Sequence, residues 1–174
     1  MTEEGTMAID AVSTFESSLA ELDVTLTRTD AEGFADAVAE AVDEPAVGTP
    51  LGFDGASLDE TPVETELTPR RIKEAETGVT PVGRAVAEYG TLVVDSNAAG
   101  NELVSLYPPT HVGVVRESDV AADVESTVPY LADRFADGGS SVFATGVSST
   151  GDMGALVEGV HGPRTVRVIL LEGR

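Results

Sequence analysis

The residues whose types and spacing could do chemistry gather in one loop and the turn after it. Gly146-Val147-Ser148-Ser149-Thr150-Gly151-Asp152 combines hydroxyls, bare backbone and a carboxylate, and Gly159-Val160-His161-Gly162-Pro163 follows it. Backbone N–H groups with Ser148, Ser149 and Thr150 form a candidate cradle for a small anion. Neither a P-loop lysine nor Gly-x-Gly-x-x-Gly is present, so neither nucleotide fingerprint is met. An ordinary capped loop, with Asp152 complementing a helix start, is the competing reading, and composition alone favours it. His161, like His111 beside a proline and an apolar strand, reads first as a turn or core histidine. As a working residue it needs partners, and a helix over Asp152–Glu158 would bring Ser148, Thr150 and Asp152 within about 10 Å of it. Only one other histidine exists, His111, and no metal-ligand spacing such as His-x-x-x-His occurs, so no metal site is expected.

Glu88, in Glu88-Tyr89-Gly90-Thr91, is the second candidate, a carboxylate placed just before a strand. As nucleophile or general base it would need a tuning partner; otherwise it is a solvated helix-end glutamate. Glu88 and His111 precede their strands, while Asp95, Ser96 and the Gly146 loop follow theirs. A strictly parallel sheet would hold these two groups at opposite edges.

The elements that must position these residues are legible from periodicity. Ile9, Val12, Phe15, Leu19 and Leu22 mark a helix with one buried face, and Val24–Arg28 alternates as a strand. Asp30 is the expected cap of a helix carrying Phe34, Val38, Ala41 and Val42. A short strand is expected at Ala46–Thr49, an edge strand near Val63, and a helix over Arg70–Glu76 behind Thr68-Pro69. Between Gly78 and Gly90, Thr80 as cap and Pro81 at the first position predict a helix; an extended reading, with Val82, Arg84, Val86 and Glu88 on one face, competes. Strands follow at Thr91–Asp95 and His111–Val115, separated by a helix over Asn101–Tyr107. A helix opened by Asp119 and restarted at Pro129 leads to strands at Ser141–Thr145 and Val166–Leu171, the last almost wholly apolar and so buried on both faces. Alternating strands and helices predict an α/β fold, with a mostly parallel central sheet holding all four of the last-named strands and helices on both faces.

Composition sets the remaining bounds. The 174 residues are expected to form one domain, with residues 1–22 as its N-terminal helix. Ten basic against 31 acidic residues give a net charge of −21, spread without long acidic blocks. Such a surface repels nucleic acid and anionic membranes, and it predicts a salt-rich cytoplasm, as in halophilic archaea. Stability is expected to rise steeply from dilute buffer to molar KCl, where the Debye length falls to roughly 3 Å; circular dichroism melts across that range check it. With no cysteine in the chain, disulfides, thiolate zinc and cysteine-held iron–sulfur clusters are excluded within it. The N-terminus lacks a secretory apolar stretch, and no run of apolar residues is long enough to span a membrane.

The order of segments carries a resemblance. Gly78-Val79-Thr80 through Ala87-Glu88-Tyr89-Gly90-Thr91-Leu92-Val93-Val94, then Pro108-Pro109-Thr110-His111-Val112, the Gly146–Asp152 loop and the intact Gly159–Pro163 turn resemble the LUD domain family, lactate utilisation protein C type. The likeness is best over residues 78–171. It implies a three-layer fold of the NagB/RpiA/CoA-transferase kind. It further implies an accessory role in oxidation of L-lactate to pyruvate alongside iron–sulfur partner subunits, with no cofactor in this chain. The alternative is a small enzyme of the CoA-transferase or sugar-phosphate isomerase class using Glu88. Tyr89 stands where the family pattern has threonine, and Ser149 where it has arginine, the one strong anion donor of the loop. The site residues expected are Glu88 and His161 for catalysis, and Gly90, Thr91, Gly146, Ser148, Ser149, Thr150 and Asp152 for a ligand.

Overall fold

The computed structural model describes residues 3–147 and 162–173, with side chains from Ala11 onward. The first helix, α1 (Glu3–Glu21), buries Val12, Phe15 and Leu19, and β1 (Thr25–Thr29) follows it. Asp30 does not cap the next helix. Its carboxylate accepts from the N–H groups of Glu32 and Gly33, at 3.0 and 2.9 Å, so the chain turns once more before α2 (Phe34–Ala41) begins. Then come β2 (Ala46–Gly48), β3 (Val63–Glu64) and α3 (Pro69–Glu74), whose Thr68 cap accepts from the Arg71 N–H at 3.2 Å.

The Gly78–Gly90 segment is extended, not helical. It forms β4 (Thr77–Pro81), β5 (Arg84–Val86) and a single 3-10 turn at Ala87–Tyr89. Proline is tolerated at the end of β4 because of where its nitrogen points. The Val82 N–H donates to Val114, so the Pro81 nitrogen faces the β2 side, where pairing has already stopped at Gly48 opposite Val79. After β6 (Thr91–Asp95), α4 (Asn101–Leu106) and β7 (Thr110–Arg116), Asp119 again departs from expectation. It accepts from Arg84 at 2.8 Å and Arg116 at 2.5 Å, and Asp123 caps α5 (Val124–Ala136), which runs unbroken through Pro129. Between them lies β8 (Val120–Ala121); β9 (Ser141–Thr145) and β10 (Thr165–Leu171) complete the described elements.

The central sheet has six parallel strands in the order β1-β10-β7-β4-β2-β3. Its apolar strands work on both faces, as period-2 alternation requires. Val166, Val168 and Leu170 of β10 enter a core with α1, while Ile169 and Leu171 enter another with Phe34 and Val38 of α2. Helices thus cover both faces, in a three-layer α/β architecture. Two of the strands expected in this sheet are not in it. Strands β6 and β9 belong to a second sheet, β8-β5-β6-β9, in which β6 pairs antiparallel with both β5 and β9. That sheet packs with α1 over the β10 and β7 face through Ala85, Leu92 and Val94. Helix α4 crosses the same side so closely that a Cβ on Gly78 would stand 2.0 Å from the Val104 carbonyl oxygen.

Candidate functional site

The second sheet removes the geometric objection to a joint site. Because β6 and β9 are antiparallel, Thr91 lies opposite Thr145, and the Glu88–Thr91 turn and Gly146 share one edge. The two threonine hydroxyls meet at 2.6 Å across the pair. Gly90 and Gly146 have φ of +64° and +63°, a left-handed conformation that favours glycine. Both glycines are also covered by Leu22 at the end of α1. An added Cβ would lie 3.1 Å from the Leu22 side chain at Gly90 and 3.3 Å from it at Gly146. The α1 stripe therefore fixes both turns.

Beside this edge lies a cavity of about 220 Å³, bounded by Ser105 and Leu106 of α4, His111, Val142–Val147, and Gly162-Pro163. His111, expected at the opposite edge from Gly146, lines the same cavity. Its ring is buried between the two sheets, where positions 111, 113 and 115 of β7 face the second sheet, and Nε2 shares a 2.9 Å hydrogen bond with the Thr80 hydroxyl. Burial away from water disfavours the imidazolium and lowers the His111 pKa to about 4, so the ring is neutral at pH 7. A neutral imidazole in a small cavity can accept or donate one hydrogen bond, but it supplies no charge to an anion.

Glu88 is exposed on the 3-10 turn. Its N–H donates to the Ala122 carbonyl at 3.1 Å and its own carbonyl accepts from the Ser18 hydroxyl at 3.3 Å. No side chain among the described residues bonds its carboxylate, and it is not part of the cavity wall. Ser148, Ser149, Thr150, Asp152 and His161, with the helix expected over Asp152–Glu158, lie outside the described residues. Of the expected site, the structure brings together Gly90, Thr91 and Gly146, and adds His111, Thr80 and Thr145. Nothing in the sequence marked these last three as neighbours, because the contacts join strands far apart along the chain.

A second polar cluster lies elsewhere on the second sheet. Asp95 accepts from the hydroxyls of Tyr130 and Ser141, the latter at 2.7 Å, with the Arg134 guanidinium 3.3 Å away. Arg84 lies over the Tyr130 ring at 5.2 Å. Partial burial, followed by the bond to Asp95, pushes the Tyr130 hydroxyl pKa well up, so it stays a donor. The cluster ties α5 to β5, β6 and β9. Among the described residues, no group of acidic or histidine side chains could hold a metal ion, and no helix is long and apolar enough to cross a membrane.

The family model described as the LUD domain matches residues 3–171. The chain belongs to the LUD domain family. Among relatives of this LUD domain, a protein named Lactate utilization protein C from Deinococcus radiodurans is 30% identical over 165 residues, covering 90% of this chain and 77% of the relative. A Bacillus subtilis protein of the same name is 26% identical, covering 98% and 82% respectively. The crystal structure of a DUF162 family protein from Deinococcus radiodurans superposes with a TM-score of 0.74 at 24% identity, covering 94% of this LUD domain and 98% of that chain, which establishes a shared fold.

Proposed function

We propose that this LUD domain serves lactate utilisation, as an accessory subunit of a cytoplasmic system that oxidises L-lactate to pyruvate with iron–sulfur partner subunits. The observation that carries the reading is the likeness along most of both chains to proteins named Lactate utilization protein C. The chemistry of the chain is compatible with it: its 174 residues include no cysteine, which suits a subunit whose partners hold the clusters. The ligand site is proposed at the Gly146 loop, its residues Gly90, Thr91, Gly146, Ser148, Ser149, Thr150, Asp152 and His161 and its ligand a small anion; of these Gly146 lines the 220 Å³ cavity. Deletion of the gene should abolish growth on lactate and leave growth on pyruvate intact, and the wild-type gene should restore it. Complementation by His161→Ala or Asp152→Asn that fails despite an unchanged melting temperature supports the site. Full growth with both variants removes the site from this loop, whereas full growth of the deletion strain overturns the role itself.

One observation favours a second reading, a small enzyme of the CoA-transferase or sugar-phosphate isomerase class. The antiparallel β6–β9 pair holds Glu88 and Gly146 at one edge, as a carboxylate working on a loop-bound ligand would need. Turnover of acyl-CoA or pentose phosphate by the purified protein, lost in Glu88→Gln, would establish it.

A further inference from the structure

Between α3 and α4 runs a groove of about 510 Å³ whose walls include Leu67, Ile72, Leu103 and Tyr107. Leu103 is 55% and Tyr107 64% exposed, the two most exposed large apolar side chains among the described residues. Although 31 of the 174 residues are acidic, none lines this groove, and the chain's one lysine, Lys73, does.

Lys73 also stands apart from its neighbours on α3. Arg70 is engaged by Glu74 at 2.9 Å, and Arg71 by Glu66 at 2.8 Å and Glu64 at 3.6 Å. Lys73 has no ion-pair partner among the described residues. The Thr68 hydroxyl, also in the wall, accepts from the Arg71 N–H and keeps its own proton to donate. The groove therefore offers hydrogen-bond donors over an apolar bed, with no carboxylate in its wall. That pattern suits a ligand with one anionic end and an apolar body, and the volume falls in the range of small-molecule sites. It is far larger than a three-carbon acid needs.

We propose that the α3–α4 groove binds an organic carboxylate with an apolar body, of the arylalkanoate or medium-chain acyl type, its carboxylate on Lys73 and its body against Leu103 and Tyr107. Leu106 of α4 lines the 220 Å³ cavity while Leu103 and Tyr107 line the groove, so the two sites lie along one short helix. The proposal goes beyond lactate utilisation and stands without it, because its test reads binding to the purified protein.

Isothermal titration calorimetry with 3-phenylpropionate, in salt that keeps the protein folded, should show saturable one-site binding with a Kd of about 1 mM or tighter. Lys73→Gln should weaken it about tenfold, the loss of one charge-assisted hydrogen bond, and leave the weaker binding of neutral 3-phenylpropanamide unchanged. Leu103→Asp should abolish both while keeping the melting temperature, since the side chain it replaces is exposed. No saturation, equal binding of carboxylate and amide, or indifference to Lys73→Gln would overturn the proposal. So would the absence of carboxylate binding together with a self-association that Leu103→Asp removes, which would give this face to protein contact instead.

Discussion

The two sheets of this molecule solve the same problem by different means. The six-stranded sheet is held by apolar side chains on both faces: Val79, Val112, Val114, Ile169 and Leu171 are buried against α2, and Val115, Val166, Val168 and Leu170 against α1 and the second sheet. The four-stranded sheet buries Ala85, Leu92 and Val94 towards the first sheet and Val86 and Val93 on its other face, and it is tied further by charged and hydroxyl groups, Arg84 with Asp119, and Asp95 with Ser141 and with Tyr130 of α5. Apolar burial is non-directional and summed over many contacts, whereas each polar contact depends on a specific partner. The first sheet should fail by losing volume, the second by losing partners.

The comparison breaks most readily at β10. Ile169→Ala, at a fully buried position, should lower stability by about 2–5 kcal/mol, measured by chemical denaturation in constant salt. An effect under about 1 kcal/mol would mean that the central sheet does not depend on this packing.

Acid should act on the interface between the sheets through His111. Its folded pKa of about 4 lies below the usual 6.5, so in this window the unfolded state binds more protons and stability rises with pH. The contribution is fully present above pH 6.5 and is lost progressively as pH falls towards 4, by up to about 3 kcal/mol. In a His111→Gln variant this part of the profile should flatten; an unchanged slope between pH 6.5 and 4 would assign the acid sensitivity to other groups.

Loss of a partner in the second sheet should be smaller. Asp119→Asn keeps the size but weakens the link to Arg84 and Arg116, and should remove about 1–2 kcal/mol. Because both arginines remain partly open to solvent, the loss should shrink as KCl is raised. The smallest expected effect is at Gly162, whose φ is +93° and where, among the described residues, an added Cβ would make only an ordinary contact, with Leu106 at 3.8 Å. Gly162→Ala should lower stability by about 1 kcal/mol from backbone strain alone. A neutral result would show that this turn can relax.

What could be read from the sequence divides along the same line. Val166–Leu171 announces a strand buried on both faces because every residue but Arg167 is apolar, and Thr68-Pro69 announces a helix start because its chemistry is local. The second sheet has no such signature. Thr80-Pro81 has the local grammar of a helix start, and only the early end of β2 makes Pro81 acceptable in a strand. Whether Thr91 pairs with Thr145 depends on chain direction in space, so the edge shared by Glu88 and Gly146 was hidden. His111 reads as a turn or core histidine and is buried, but its place beside Gly146 required the layering of the two sheets.

The position of β10 has a consequence for how the chain becomes this structure. The strand nearest the C-terminus sits inside the central sheet, and edge strand β1, formed by residues 25–29, pairs only with it among the described strands. During synthesis β1 therefore waits for residues 165–171, and β7 keeps an open, apolar edge until the same residues arrive. Such long-range closure slows folding and leaves a sticky intermediate on the ribosome. A chain cut short before Thr165 should be cleared as an aggregate or a protease substrate, however well β2, β3, β4 and β7 pair.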